Sequence, residues 1–505
     1  MKKSHVYLLA AGLALFAAAG CADDRFDEQP PVIESPGDDG EEKPEEEIPQ
    51  SSYNELYRPQ IHYTPARNWI NDPNGLVYNN GTYHLFYQFN PQGNDWGNMS
   101  WGHASSTDLV HWKEQPVAMR RNEWGDIFSG SAVIDADNTA GFGAGAMVAV
   151  YTSSGERQQQ SIAYSTDNGM TFTQYADNPV IANNDRPDFR DPKVFWHAES
   201  KQWIMALALG NSHAIEFYGS PNLKNWTLLS TFTTTSARSN IGQWECPDLF
   251  PLDCAGGTKW VLVVSNNPGG PAGGSGTEYF LGDFDGRTFT ADELDYPLWV
   301  DYGSDNYAGV TWNNAPDGRR LFIGWMNNWN YSGAVPTSPW RSAMTLPREF
   351  RLLEIDGSPV LASRVVSEIE AIAGSWQPLS GTIAASAYEL KTTVSLSENS
   401  TLRLSNGAGE YLEITVNAAA RSVIVHRTAS TGASTFSGLF SIPSIVLPIK
   451  GSSDEVELHF FVDQSSVELF TADGSSVATM VVYPSAIYDR FDGADAEYRA
   501  LSSIW

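Results

Sequence analysis

Most of the chain shows short apolar runs and no helical periodicity. Between about residues 53 and 340, β-branched and aromatic residues form runs that Gly, Asn, Asp and Pro interrupt. Such runs occupy residues 82–89, 147–152, 203–209, 259–265 and 320–325. Because no apolar stripe recurs at a helical interval, this pattern predicts an all-β region of many short strands.

A turn motif recurs inside this region. Residues 106–112 read STDLVHW, residues 220–226 read SPNLKNW, and residues 165–172 carry the variant STDNGMTF. The starting positions 106, 165 and 220 are 59 and 55 residues apart. This period is somewhat above the roughly 40–50 residues of a four-stranded propeller blade and fits blades with elaborated loops. About 290 residues at this period predict five blades.

The pattern changes after residue 350. Residues 351–374 are predicted to form a linker, in which residues 364–372 have the character of a short helix. Alternation then returns over residues 375–505, and about 130 residues of this kind predict a β-sandwich. The predicted fold is therefore all-β, with a five-bladed β-propeller over residues 53–350 followed by a C-terminal β-sandwich over residues 375–505.

The N-terminal segment has the composition of a targeting signal. Two lysines precede an apolar stretch over residues 6–19, which is too short to span a membrane. Residues 18–21 read AAGC and resemble a bacterial lipobox, with Ala18 where Leu is usual. Residues 1–21 are thus predicted to be a lipoprotein signal peptide that leaves Cys21 lipidated. An ordinary signal peptide with a chance cysteine is the alternative.

Acidic residues are concentrated behind this signal. The net charge of the chain is −29, and residues 22–50 carry 12 acidic residues against Arg25 and Lys43. Residues 22–52 are therefore predicted to be a disordered, self-repelling tether. It resembles the acidic segments that mark some Gram-negative lipoproteins for the cell surface, so we expect a lipid anchor in the outer membrane. The acidic balance excludes nucleic acid as a partner.

Polar motifs interrupt the β pattern at a regular interval. They are residues 69–75 (WINDPNG), residues 128–131 (FSGS), Arg190-Asp191-Pro192, Glu245-Cys246-Pro247 and residues 305–308 (DNYA). Positions 72, 129, 191, 245 and 305 are separated by 57, 62, 54 and 60 residues. This spacing places one motif at the same level of each blade, so we expect all five to converge on the central axis.

Three carboxyl groups would then face one aromatic-rich funnel. This set suits the cleavage of a glycosidic bond, because one carboxylate must attack the sugar carbon while a protonated one donates to the leaving oxygen. Glu245 fits the proton donor, since carboxyl groups that share a site do not all ionise together. The neighbouring guanidinium of Arg190 is expected to keep Asp191 ionised.

These motifs resemble glycoside hydrolase family 32, which includes invertases, inulinases and levanases. Residues 69–75, 190–192 and 245–246 match its three signature blocks in order, and residues 463–483 resemble its C-terminal sandwich. The resemblance implies a retaining hydrolase with Asp72 as nucleophile, Glu245 as acid/base and Asp191 as transition-state stabiliser. It also implies substrate-binding positions at Asn71, Gln88, Trp96, Phe128, Ser129, Arg190, Tyr307 and Trp325. No cofactor is implied, because the fructosyl-enzyme intermediate needs only carboxylates and water.

Residues 324–341 resemble bacterial levanases and exo-inulinases more than sucrose-specific invertases. We therefore expect a surface hydrolase of fructan, most of all β-2,6-linked levan, with endo-cleavage favoured over exo-release of fructose. The expected partners are the fructan, the membrane through the lipid anchor alone, and other surface glycan-uptake proteins. The redox state of Cys246 and Cys254 and any role of the sandwich in sugar binding stay open.

Two other classes compete with this interpretation. Residues 165–172 resemble the Asp-box turn of sialidases, but a sialidase needs an arginine cluster and a Tyr nucleophile, and only Arg190 falls in the ring. A non-catalytic fructan-binding lipoprotein is the other class. Such a protein should have lost a catalytic carboxylate, whereas Asp72, Asp191 and Glu245 are all present.

Overall fold

The computed structural model describes residues 51–427, 431–442 and 444–505. Its strands form seven sheets, of which five follow one another along the chain and two lie in the C-terminal part. Residues 1–50 lie outside the described residues. They include the predicted signal peptide, Cys21 and nearly all of the acidic tether, so these assignments stay predictions.

Each of the first three blades contains four consecutive antiparallel strands, and the sheet of blade 1 gains a fifth strand from later in the chain. Blade 1 contains β1 (Asn68–Asn79), β2 (Thr82–Phe89), β3 (Ser100–Ser106) and β4 (Lys113–Met119). Blade 2 contains β5 (Asp126–Asp135), β6 (Ala146–Ser154), β7 (Gln158–Ser165) and β8 (Thr173–Gln174). Blade 3 contains β9 (Phe189–His197), β10 (Gln202–Leu209), β11 (Ala214–Ser220) and β12 (Thr227–Thr233).

The last two blades carry short additional strands. Blade 4 contains β13 (Gln243–Cys254), β14 (Gly257–Asn267), β15 (Gly276–Phe284), β16 (Phe289–Ala291) and β17 (Leu298–Trp299). Blade 5 begins with β18 (Tyr307–Thr311) and β19 (Leu321–Met326), after which β20 (Trp340–Arg341) leaves to pair in parallel with β1. It ends with β21 (Ala343–Met344), β22 (Arg348–Ile355) and β23 (Ser358–Val365).

The end of the propeller lies further along the chain than the sequence pattern indicates. Strands β22 and β23 belong to the sheet of blade 5, so the predicted boundary at residue 350 falls inside a strand. These outer strands carry charged residues between apolar ones because one of their faces is exposed, which makes them look like a linker. The segment between the domains is shorter than the predicted residues 351–374 and contains the 3-10 helix Ser367–Ala371.

The recurrent turn motif connects the third and fourth strands of blades 1, 2 and 3. In each copy an Asp or Asn side chain accepts hydrogen bonds from main-chain N–H groups further along the turn, as Asp108 Oδ1 does from Val110 and His111 at 3.0 and 2.8 Å. Asn222 does the same with Lys224 and Asn225. The sequence repeat therefore marks the blades.

Buried polar contacts on the axis join the ends of the propeller. The side-chain amide of Asn313, just after β18, donates to the carbonyls of Ala132 in blade 2 and Val194 in blade 3 at 2.8 and 2.9 Å. Its main-chain N–H donates to Leu76 in blade 1 at 2.9 Å. One residue of blade 5 therefore donates hydrogen bonds to three other blades. These contacts and the pairing of β20 with β1 close the ring of blades.

The C-terminal domain is a sandwich of two antiparallel sheets. One sheet contains β24 (Gln377–Pro378), β25 (Tyr388–Ser395), β30 (Glu455–Val462), β31 (Ser466–Thr471), β32 (Val477–Val481) and β34 (Ala496–Ala500). The other contains β26 (Ser400–Ser405), β27 (Tyr411–Asn417), β28 (Ser422–His426), β29 (Ile445–Pro448) and β33 (Arg490–Asp492). Apolar residues from both inner faces, such as Leu390, Leu402 and Leu458, share one core.

The remaining helical segments of the described chain are short 3-10 turns at Gly210–Ser212, Pro316–Gly318, Ser332–Ala334 and Ser434–Phe436. Among the described residues, none of these helices has the length and apolarity needed to cross a membrane.

Propeller and sandwich are joined by buried charges. Arg348 of blade 5 donates to Glu468 of β31 at 2.5 Å and to Asp301 at 2.9 Å, and all three side chains are buried. His62 lies between Asp463 and Glu468, at 2.8 and 3.0 Å. Although burial opposes its charge, the hydrogen bonds to these two carboxylates raise the pKa of His62 to about 9. The sandwich is thus fixed to the propeller by ion pairs that water does not reach.

Candidate active site

The innermost strand of every blade is interrupted by a β-bulge near its polar motif. The bulges lie between residues 70 and 73 in β1, 127 and 130 in β5, 190 and 193 in β9, 245 and 248 in β13, and 307 and 310 in β18. A bulge bends its strand and re-aims a side chain. A small cavity is lined by residues of all five strands, namely Pro73, Ser129, Asp191, Cys246 and Val310.

Asp72 is held by donors from its own blade and from the next. Its Oδ2 atom accepts a hydrogen bond from Ser129 Oγ at 2.6 Å, and its Oδ1 atom accepts one from Asn71 Nδ2 at 2.9 Å. Asn71 is itself fixed by Trp69, whose indole N–H donates to Asn71 Oδ1 at 2.7 Å. Burial raises the pKa of Asp72, and the hydrogen bond from Ser129 opposes that rise. Both donors leave the carboxylate in a single orientation.

Asp191 occupies a left-handed backbone conformation, with φ of 66°, inside the bulge of β9. Its Oδ2 atom accepts a hydrogen bond from the main-chain N–H of Cys246 at 3.0 Å. Burial raises the pKa of Asp191 to about 7, because the opposing charge of Arg190 is offset by the charges of Glu245 and Asp72. The expectation that Arg190 keeps Asp191 ionised stays a prediction.

The guanidinium of Arg190 contacts Glu245 more closely than Asp191. Its Nη2 and Nε atoms donate to Glu245 Oε1 at 2.6 and 3.1 Å, whereas Nε lies 3.9 Å from Asp191 Oδ2. The hydroxyl of Tyr307 donates to the other oxygen of Glu245. Glu245 thus has one oxygen on an arginine and the other on a tyrosine, which fixes the plane of its carboxyl group.

Cys246 separates two of the carboxylates. Its thiol lies 3.5 Å from Asp72 Oδ2 and 3.7 Å from Asp191 Oδ2, and burial raises the pKa of the thiol well above its usual range. Cys246 and Cys254 are both free. The pairing that their proximity in sequence left open is thus absent.

Of the other residues that the family resemblance implies, three lie at the mouth of the site. Ser129 contacts Asp72, and Phe128 packs edge-to-face with Trp96 at a ring separation of 6.1 Å. The side chain of Trp96 is 49% exposed, which leaves an aromatic face open to a ligand.

Two of the implied residues lie below the surface. Gln88 is buried and donates to the carbonyl of Ile127 at 3.0 Å and to Asn74 at 3.4 Å, so it supports the bulge of the next blade. Trp325 is implied to bind substrate, but it is fully buried and packs against Trp69 and Trp329. Its strand, β19, is the second of blade 5 and lies behind the strand that carries Tyr307.

Sequence reasoning missed the residues that hold Arg190 from behind. Its Nη1 atom donates to Asp188 Oδ1 at 2.6 Å and to Gln158 Oε1 at 3.2 Å. Asp188 precedes the Arg-Asp-Pro motif by two residues, and Gln158 begins a strand of blade 2. Neither belongs to a signature block, and only the fold brings Gln158 to the site.

Family models match nearly the whole described chain. Residues 62–362 match the glycosyl hydrolases family 32 N-terminal domain, and residues 363–499 match the glycosyl hydrolases family 32 C terminal model. A levanase of Bacillus subtilis is 45% identical over 460 residues, covering 86% of this chain and 67% of that protein. The extracellular exo-inulinase inuE of Aspergillus niger is 42% identical over 523 residues, covering 90% of this chain and 96% of that protein.

Solved structures agree with this assignment. The crystal structure of exo-inulinase from Aspergillus awamori superposes with a TM-score of 0.83 at 37% identity, covering 90% of this chain and 100% of that one. A β-fructofuranosidase from Schwanniomyces occidentalis complexed with fructosyl-erythritol gives a TM-score of 0.79 at 31% identity, covering 89% of this chain and 99% of that one. The chain belongs to glycosyl hydrolase family 32, and it is a glycoside hydrolase.

Proposed function

We propose that the protein is a retaining fructan hydrolase in which Asp72 is the nucleophile, Glu245 the acid/base and Asp191 the transition-state stabiliser. The observation that carries this proposal is that three carboxyl groups from blades 1, 3 and 4 lie close together beside an exposed aromatic rim. Asp72 and Asp191 both lie next to the thiol of Cys246, and the guanidinium of Arg190 lies next to both Asp191 and Glu245. Each has different partners: hydroxyl and amide donors at Asp72, a main-chain N–H at Asp191, and Arg190 with Tyr307 at Glu245.

In the first step Asp72 attacks C2 of a terminal or internal fructosyl unit. The bond from C2 to the leaving oxygen breaks, a bond from C2 to a carboxylate oxygen of Asp72 forms, and the proton of Glu245 passes to the leaving oxygen. Positive charge develops on the fructosyl ring in the transition state. The ionised form of Asp191 would stabilise this charge through hydrogen bonds to ring hydroxyls that strengthen as the charge develops.

In the second step water hydrolyses the fructosyl-enzyme. Glu245 takes a proton from the water while the water oxygen attacks C2. The bond between C2 and the carboxylate oxygen of Asp72 breaks in the same step. Two inversions at C2 give net retention. Glu245 returns to its protonated form, so the cycle closes with no cofactor.

Different observations support the proposed substrate linkage and the proposed cleavage mode. Residues 324–341 resemble bacterial levanases and exo-inulinases, and the relative from Bacillus subtilis is named a levanase. The expected tether at the cell surface suits endo-cleavage of a polymer too large to import. The relatives that this chain covers almost completely are named exo-inulinases. We therefore propose levan as the substrate and exo-release of fructose as the cleavage mode, with endo-cleavage as the competing mode.

Product analysis tests this proposal. We expect the purified protein to release fructose as the first and main product from levan, and to act more slowly on inulin. Chromatography of samples taken below about one tenth of full conversion separates the modes, because an exo enzyme gives only monomer at that stage. Early levan oligosaccharides would instead establish endo action, and inactivity on both fructans would contradict the proposed function.

We also propose that Cys21 anchors the protein by lipid in the outer membrane, with the catalytic domain at the cell surface. The AAGC sequence at residues 18–21 and the acidic segment behind it support this. Cys21→Ala is expected to move the protein from the detergent phase to the aqueous phase in Triton X-114 partitioning, because one acyl-bearing residue supplies the membrane affinity. Equal partitioning of variant and wild type would contradict a lipid anchor, and protease treatment of intact cells tests surface exposure.

A further inference from the structure

Asp188 lies immediately before β9 and is fastened from outside the site. Its backbone has a φ of 52°, and its carbonyl accepts a hydrogen bond from the N–H of Gly210 at 3.0 Å. Its Oδ2 atom accepts a hydrogen bond from the side chain of Asn211. Gly210 and Asn211 belong to the 3-10 turn that connects β10 and β11. The hairpin of its own blade therefore fixes the carboxylate of Asp188 independently of Arg190.

The other oxygen of Asp188 fixes one edge of a planar group. Arg190 Nη1 donates to Asp188 Oδ1 at 2.6 Å and to Gln158 Oε1 at 3.2 Å. The opposite edge, Nε and Nη2, donates to Glu245 Oε1. Because a guanidinium is rigid and presents its donors in a fixed fork, holding Nη1 also sets the direction of the Nε and Nη2 edge.

Arg190 has two carboxyl groups within reach on its pocket side. Asp191 is its neighbour in sequence, and Arg190 Nε lies 3.9 Å from Asp191 Oδ2 but only 3.1 Å from Glu245 Oε1. Asp188 is the charged group that pulls the guanidinium from the side away from Glu245. Without that charge, Asp191 would compete for the donors of Arg190, and the hydrogen bond from Tyr307 would be the main remaining contact that orients Glu245.

We propose that Asp188 is a positioning residue for Glu245 and acts through Arg190. This rests on the proposed role of Glu245 as the proton donor to the leaving group. Asp188 itself touches no reacting atom. Its effect on the first step, which kcat/KM reports, should therefore be large where the leaving group needs a correctly aimed proton and small where the leaving group departs without one.

The test compares two substrates that differ in their need for a proton. A fructo-oligosaccharide leaves as a sugar alkoxide that must be protonated, whereas p-nitrophenyl β-fructofuranoside leaves as a stable phenolate. We expect Asp188→Ala to lower kcat/KM on the oligosaccharide by about tenfold to a hundredfold, because small misplacements of a catalytic group cost this much. On the aryl fructoside the loss in kcat/KM should stay below about threefold, because kcat/KM reports only the first step, in which this leaving group needs no proton, and not the later step in which Glu245 acts as base. Asp188→Asn should lose less, because its amide oxygen can still accept from Arg190.

Asp185→Asn is the matched control. Asp185 lies three residues earlier in the same loop, is 77% exposed and pairs with Arg157, not with Arg190. We expect it to leave kcat/KM unchanged on both substrates. Melting curves by circular dichroism establish that each variant is folded, and if Asp188→Ala fails to fold, Asp188→Asn carries the comparison.

Equal losses on the two substrates, or no loss on either, would overturn the positioning role of Asp188. Glu245→Gln measured in parallel separates this outcome from a failure of the proposed function. A leaving-group-dependent loss in Glu245→Gln alone would remove only the role of Asp188. A loss in Glu245→Gln that is the same for both substrates would remove Glu245 as proton donor.

Discussion

Asp72→Asn is expected to lower kcat on a fructan by about ten-thousandfold, because an amide cannot attack C2 and form the covalent intermediate. The substitution keeps the size of the side chain and one oxygen that can accept the hydrogen bond from Ser129, which lies at 2.6 Å in the wild type. We therefore expect the fold to be retained. The measurement is initial rates of reducing-sugar release at saturating substrate, and a loss of less than about tenfold would exclude Asp72 as the nucleophile.

A small external nucleophile extends this test to stereochemistry. Asp72→Ala removes the carboxylate and leaves space on the same face of the sugar, where azide can attack an aryl fructoside whose leaving group needs no proton. One displacement replaces two, so the product should be an α-fructosyl azide of inverted configuration. A β-configured azide, detected by nuclear magnetic resonance, would contradict direct attack from the position of Asp72.

The blade architecture is visible in the sequence because its turns are local. The copies that start at Ser106, Ser165 and Ser220 use side-chain to main-chain hydrogen bonds over a few residues, so their sequence signals survive. A fourth copy in blade 4 was missed. Asp285 Oδ1 accepts from the N–H groups of Arg287 and Thr288 at 2.9 and 2.7 Å, but Asp283 stands where the other copies have Ser.

The site could be predicted from sequence where a motif coincides with a bulge. The prediction failed where contacts with distant residues decide which side chain faces the site. The carboxyl groups of Asp72, Asp191 and Glu245 lie close together, as their spacing indicates. The first two flank the thiol of Cys246, and the last two lie next to the guanidinium of Arg190. The fifth motif was placed at Asp305, but this residue is buried against the sandwich, where Arg427 donates to it at 2.6 Å. The neighbouring Tyr307 reaches the site instead. A partner 122 residues away in sequence cannot be read from local pattern.

The same limit applies to aromatic and supporting residues. The family resemblance implies that Trp325 binds substrate, yet the position of β19 behind β18 buries it. Asn211 contacts Asp188, and Gln158 contacts Arg190. Two separate hairpins bring these residues to the site, so local sequence does not reveal the contacts. The spacing of motifs along the sequence therefore indicates which strand carries each motif. How deeply a side chain is buried in its blade depends instead on how the strands pack.

Arg348→Ala is expected to lower the free energy of unfolding by about 3–5 kcal/mol, because removing one member of a buried ion pair leaves charges that nothing else compensates. Arg348 donates to Glu468 at 2.5 Å, to Asp301 at 2.9 Å and to Thr479 at 2.5 Å across the boundary between propeller and sandwich. The measurement is urea unfolding followed by tryptophan fluorescence. A loss below about 1 kcal/mol would show that the domains are held mainly by apolar contacts.

Arg351→Ala on the same strand is the matched control. Arg351 is 65% exposed and pairs with Glu349 at 2.8 Å, so its removal should change stability by less than about 1 kcal/mol. The pH dependence of stability distinguishes the loss of the Arg348 charge from the loss of its packing. Against the effect of burial, Arg348 and His62 lower the pKa of Glu468 to about 2. In the wild type this stabilisation is present above the ordinary Glu pKa of about 4.3 and is lost only as the pH falls towards 2.

In Arg348→Ala the carboxylate of Glu468 loses its strongest compensating charge, so its pKa in the folded state rises. Glu468 should then take up a proton at a higher pH than in the wild type, and this relieves the unpaired buried charge. Lowering the pH from about 7 to about 4.5 should therefore narrow the stability gap between variant and wild type. A gap of constant size would assign the loss to the arginine's packing over Phe470, where its guanidinium lies 5.0 Å from the ring centre.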